Sequence, residues 1–204
     1  MSKLSRGRFS LVILVLAALV LFVAGGGTDK GQGGPFNWTM ALQEVKTGKL
    51  LPFSAPVKAK TGEQFRIIIN PQADCYCYVI AENDNGDEVT VVYSGQIKAN
   101  ATWQSVDLLL TPPRGTISFF VVTSRNEQTD LSQKIAAFKA NSGATQRRAL
   151  MNQVFSIRSE VSKYKEAPEK PILMGAALRG APDKSEGVEY SGLDTYVKTI
   201  SIEH

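Results

Sequence analysis

From residue 57 onward, apolar and polar positions alternate in short runs separated by turn residues, the period-2 signature of half-buried strands. Val57 and Ala59 alternate with Lys58 and Lys60, and residues 61–63 (TGE) read as a turn. Residues 64–70 (QFRIIIN) then form a β-branched run that Pro71 terminates, since proline has no N–H for a ladder. Residues 74–82 (DCYCYVIAE) and 87–95 (DEVTVVYSG) flank Asn-Asp-Asn-Gly. Within it Asn85-Gly86 is a dipeptide that accepts the two positive φ angles of a tight hairpin turn. A second hairpin is expected from residues 102–111 (TWQSVDLLLT) and 115–124 (GTISFFVVTS), joined through Pro112-Pro113-Arg114-Gly115.

The period then changes. After Thr129-Asp130, with Gln133 placed for a capping box, Leu131, Ile135 and Phe138 fall on one helical face until Asn141-Ser142-Gly143 ends the run. Leu150, Val154, Ile157, Val161 and Tyr164 follow at spacings of four, three, four and three, which gives a second apolar stripe suited to packing on a sheet. Residues 172–178 (ILMGAAL) return to strand-like sequence, residues 179–192 read as a polar loop, and residues 195–204 (TYVKTISIEH) put Ile200 and Ile202 on one face of a closing strand. The expected fold is mainly β, an antiparallel β-sandwich with a helical insert of one or two helices over about 130–165. Residues 36–204 are expected to form a single β-rich domain.

The segment before that domain is of another kind. Lys3, Arg6 and Arg8 precede an uninterrupted apolar run over residues 9–24, the arrangement of a signal peptide or N-terminal membrane anchor at 1–24. Sixteen helical residues reach about 24 Å, short of a hydrocarbon core of roughly 30 Å, so cleaved signal and short uncleaved anchor both remain open. Leu21 to Ala24 resembles a bacterial lipoprotein box, but Gly25 stands where that box needs its lipid-accepting cysteine. Residues 25–35 form a Gly-rich linker. An uncleaved segment makes the membrane a partner, and the basic residues before it keep the N-terminus in the cytoplasm, so the domain faces outward, periplasmic or anchored in the cytoplasmic membrane.

The export segment also carries the charge excess. It holds three of the 23 Lys and Arg, leaving 20 against 19 Asp and Glu, so no nucleic-acid partner is implied. Residues 130–170 are modestly basic, which reads as a solvated face and leaves contact with anionic lipid or polymer open; an envelope protein or polymer is the partner class kept in view.

Few residues point to chemistry. The single histidine, His204, ends the chain, where backbones commonly fray, so His-based triads and His-based metal sites lack their central residue. No P-loop or dinucleotide fingerprint occurs, and no cofactor is expected. Ser162-Lys163 and Lys184-Ser185 are neighbours in sequence, not a catalytic geometry. The acidic turn around Gly86 lacks the first and last ligands of an EF-hand loop, where Ala81 and Val92 fall. No catalytic, cofactor or metal residue is assigned.

The two cysteines are the exception to be weighed. Cys75 and Cys77, two apart in a strand, share a face with Cα atoms about 6.6 Å apart and parallel Cβ vectors, at the outer edge of disulfide geometry. They read as buried core thiols, with Tyr76, Tyr78 and Ile80 making the opposite face apolar as well. A strained disulfide in an oxidising compartment and a metal clip are the alternatives.

With residues 65–95, the proline-glycine turn before Ile117-Ser118-Phe119-Phe120, the helical insert and the closing 196–204 together, the chain resembles the bacterial family catalogued as domain of unknown function 4384. It looks closest to exported stand-alone members from spirochaetes. The resemblance covers roughly 55–204 and implies a β-rich domain in exported or envelope proteins, with no active site to carry over. The expected function is a non-enzymatic, envelope-associated binding or accessory domain. The rivals are an envelope hydrolase and a thiol-redox protein using Cys75 and Cys77.

Overall fold

The fold is taken from a computed structural model, which describes residues 36–161, 170–173, 186–192 and 194–204. The segment before Phe36, Ser162-Lys163, Tyr164 and Lys184-Ser185, all named above, lie outside the described residues.

The first sheet is built around β1 (Phe36–Glu44), whose Phe36, Trp38, Met40 and Leu42 alternate inward and are all buried. The sequence reading gave this stretch no strand, although its apolar residues recur at every second position. Its neighbours are β4 (Gln64–Pro71) and β11 (Glu186–Gly192), both antiparallel to it, with β2 (Leu50–Leu51) on β1, β10 (Lys170–Leu173) beyond β11, and the short β7 (Trp103–Gln104) and β8 (Leu108–Leu109) on β4. The expected polar loop at 179–192 is corrected here, because its last seven residues are β11.

The second sheet runs in the order β3 (Val57–Lys58), β12 (Thr195–Glu203), β9 (Thr116–Ser124), β5 (Cys75–Asn83) and β6 (Val89–Ile97). Only the β3–β12 pairing is parallel. The chain changes sheets at Pro71 between β4 and β5, as the missing proline N–H allows. It changes again at Pro112-Pro113-Arg114-Gly115, which corrects the second hairpin expected from sequence. The run 102–111 does not pair with β9; it splits into β7 and β8 on the opposite sheet. Ser105 causes the split: its hydroxyl accepts from Ile67 N–H at 3.0 Å and donates to Val106 C=O at 2.8 Å, which turns the chain between the two short strands.

Between the sheets lies the main core, including Trp38, Met40, Phe65, Ile67, Cys77, Val79, Val121 and Ile200. The second sheet is apolar on its outer face too, where Tyr78, Ile80, Phe120 and Val122 meet Leu131, Ile135, Leu150, Val154 and Ile157. These last residues belong to α1 (Thr129–Ala140) and α2 (Ala144–Val161), so the stripes read from the sequence cover that face. The described molecule is mainly β, in three layers of sheet, sheet and helices.

The capping box expected at Thr129-Asp130 with Gln133 does not form. The N-cap is Gln128, and no side chain caps the helix. Instead the Tyr78 hydroxyl accepts from Gln128 N–H at 3.1 Å and bonds Ser132 Oγ at 3.1 Å, while Gln128 Nε2 donates to Ser124 Oγ at 2.9 Å and Thr195 Oγ1 at 3.2 Å. The sheet thereby fixes where the helical layer starts, which a local motif cannot encode.

Candidate functional site

Strands β5 and β9 each have a neighbour on both sides, so residues of β5 are buried by the ladder and by a layer on each face. Cys75 and Cys77 point into the inter-sheet core, are free, and are fully covered. Burial, helped by the charge of Asp74, pushes the Cys75 thiol up to about 12, opposed by a hydrogen bond from the Ile97 backbone. Burial, with Cys75 beside it, also drives Cys77 far above the ordinary thiol value. Attack on a disulfide or binding of a metal requires the thiolate, which this environment disfavours.

Tyr93 covers the cysteines from the sheet edge. Its phenol lies over Gly95, where a Cβ would come 3.2 Å from the hydroxyl, and Gly95 pairs with Cys77 across the ladder. The hydroxyl donates to Gln96 C=O at 3.1 Å, and the ring packs on Trp103 of β7 with centroids 4.6 Å apart. A bulge allows this: Val79 pairs with Tyr93 and Ile80 with Val91, so Val92 is an extra residue, and both Val92 and Tyr93 pack on the inter-sheet core.

Beyond that aromatic contact the two sheets part. A narrow cleft with about 50 Å³ of space opens between Thr90 and Val92 of β6 and Leu108, Leu109 and the buried Leu110 of the first sheet. Such a space admits one short aliphatic side chain. Among the described residues its one titratable lining group is Asp107, which is engaged by Arg66, whose Nε donates at 3.0 Å and whose second guanidinium nitrogen lies at 2.5 Å. Val106 and Leu109 at the rim are exposed at 38% and 39%, and among the described residues β6 ends its sheet, leaving one row of backbone groups without a ladder partner there. Sequence reasoning assigned no site here. The signal it could have used is the charge-free run from 89 to 97, which suits an unguarded edge.

The other candidates have structural duties. Asp87 accepts from Asn83 Nδ2 at 2.6 Å, and Asp84 faces Gly115 and Thr116, so the acidic turn holds itself together and meets the β8–β9 crossover. Among the described residues no group of three or more His, Cys, Asp or Glu is placed to hold a metal ion. His204 is not frayed: its backbone exchanges two 3.0 Å hydrogen bonds with Gly115, and its Nδ1 lies 3.3 Å from Thr61 Oγ1. Burial, with Arg114 nearby, lowers its pKa. Among the described residues no helix is long and apolar enough to cross a membrane.

No family model, no curated protein and no solved structure matches the chain.

Proposed function

We propose that the chain is a non-enzymatic binding module of the bacterial cell envelope, exported by its N-terminal segment, and that it binds protein through the open side formed by β6, β7 and β8. The observation that carries this reading is the cleft itself. Apolar side chains and a strand edge without a partner among the described residues converge there, as a protein-binding surface needs, while its carboxylate is already engaged by Arg66. The basic n-region with its apolar run supports export, and the resemblance to the domain of unknown function 4384 family, including its spirochaete members, points to the same compartment. Both rival readings, hydrolase and thiol redox through Cys75 and Cys77, need reactive groups at a surface; the raised and covered thiols favour the binding reading over the second.

The test places a photo-activated cross-linker at Leu109 in cells and, as a control, at Lys58 on the opposite edge of the second sheet. Adducts from position 109 and none from 58, recovered with the envelope fraction, are expected. Equal labelling at both positions, or recovery of the chain from the cytoplasm, defeats the proposal.

A further inference from the structure

We infer that the open side is a self-association surface on which two copies of this chain pair β6 against β6 about a twofold axis. The inference rests on the reading of that side as the binding surface and names its partner.

Edge strands are normally guarded by charged side chains, prolines or shortness, because unpaired backbone groups template another strand. Over its nine residues β6 has neither a charge nor a proline. Its charges stand at the two ends instead: Glu88 precedes the strand and Lys98 follows it. Antiparallel pairing centred on Tyr93 sets Glu88 of each copy against Lys98 of the other, so the chain's own sequence is complementary to itself in this register. Lys98 already holds Asp74 at 2.8 Å but is 60% exposed, which leaves ammonium hydrogens for a second carboxylate.

The bulge fits the same register. It disturbs the ladder around Val92, so regular pairing is available to residues 89–91 on one side and 95–97 on the other. These two stretches meet each other across the proposed axis, and the two bulges fall at its centre.

The apolar surface agrees. Among the described residues three large hydrophobic side chains are left exposed, Val106, Leu109 and Phe155, and two of the three rim this cleft. Joining β6 to β6 brings the β8 edges of the two first sheets towards each other as well, covering Val106 and Leu109 with their counterparts. An isologous contact of this kind closes on itself and leaves no edge to propagate.

Sedimentation equilibrium of the full-length chain in mild detergent tests the pairing. The wild type is expected to be dimeric at micromolar concentration. Glu88→Lys replaces two symmetry-related attractions by repulsions and should lower the association constant by about tenfold; Lys98→Glu should do the same. Combining them restores the opposite charges in reversed order and should return the constant to within about twofold of wild type. Near-ultraviolet circular dichroism confirms that each variant is folded. A monomeric wild type, indifference to both single reversals, or a double variant no better than the singles would overturn the inference. A monomer that still gives Leu109 adducts with a different protein defeats self-association alone, whereas a monomer without adducts defeats the binding reading too.

Discussion

Cys75 and Cys77 are adjacent in chemistry to a redox motif and far from one in environment. A strand places them on one face, two sheets and the Tyr93 ring enclose them, and burial keeps both thiols protonated. In the native protein they should resist alkylation and react only as fast as the chain unfolds. Replacing both with alanine should cost roughly 1–3 kcal/mol through lost packing. The raised values also set a pH dependence. Folded thiols stay neutral while unfolded ones ionise near their ordinary value of 9.0, so this contribution to stability is intact below pH 9 and is lost as pH climbs towards about 12. The double alanine variant should therefore show a flatter fall in denaturation midpoint over that range. Rapid native labelling at either cysteine, or an identical pH profile in the variant, would count against the core assignment. That both faces of β5 are covered was legible in the alternation of Cys75, Cys77, Val79 with Tyr76, Tyr78, Ile80. The ring of Tyr93 over them was not, because it depends on a bulge that no local pattern announces.

At the scale of the element, the β5–β6 hairpin shows what a dipeptide rule can and cannot give. The sequence points to Asn85-Gly86 as a turn with two positive φ angles; only Gly86, at 65°, has one. The connection is five residues long, not two, and its organiser is Asn83, whose Oδ1 accepts from Asp87 N–H and Glu88 N–H, each at 3.2 Å, while its own C=O accepts from Gly86 N–H at 3.0 Å. Arg147 of α2 adds a hydrogen bond to Asp87 C=O, tying the tip to the helical layer. Gly86→Val forces a β-branched residue into the left-handed region and should destabilise the domain by about 1–2 kcal/mol. Asn85→Val, at an exposed position without that angle, should shift it by less than about 0.5 kcal/mol. Chemical denaturation of the two variants decides the matter, and equal losses would restore the two-residue turn. The helices were more legible: Leu131, Ile135 and Phe138, then Leu150, Val154 and Ile157, all reach the sheet because a 3.6-residue period leaves few other options. Their starting point was not, since Tyr78, fifty residues upstream of Gln128, fixes it.

For the whole molecule, the alternation of each run identifies strands but not which sheet takes them. The run 102–111 and β9 look like partners because a turn joins them, yet β4 offers Ile68 and Ile69, then Gln64 and Phe65, to the first and β5 offers an eight-residue ladder to the second, and the longer-range pairings prevail. The cleft at β6 and β8 lies between strands assigned to different sheets, so it could not be foreseen from either one. The same layering makes a further test possible. Phe119 and Phe120 are neighbours on β9, but Phe119 is buried between the sheets and Phe120 under the helices, where it meets Phe155 edge-on at 5.5 Å. Truncating either to alanine removes a buried aromatic side chain and should cost about 3–5 kcal/mol. If the middle sheet joins both cores into one cooperative unit, each variant should unfold in a single transition, with the helical signal at far-ultraviolet wavelengths and the aromatic signal in the near ultraviolet falling together. Phe120→Ala provides the sharper case, because it weakens only the contact between sheet and helices. Should its helical signal melt ahead of the aromatic one while Phe119→Ala remains two-state, the helical layer is a separate folding unit laid on a finished sandwich, and the three layers do not share one core.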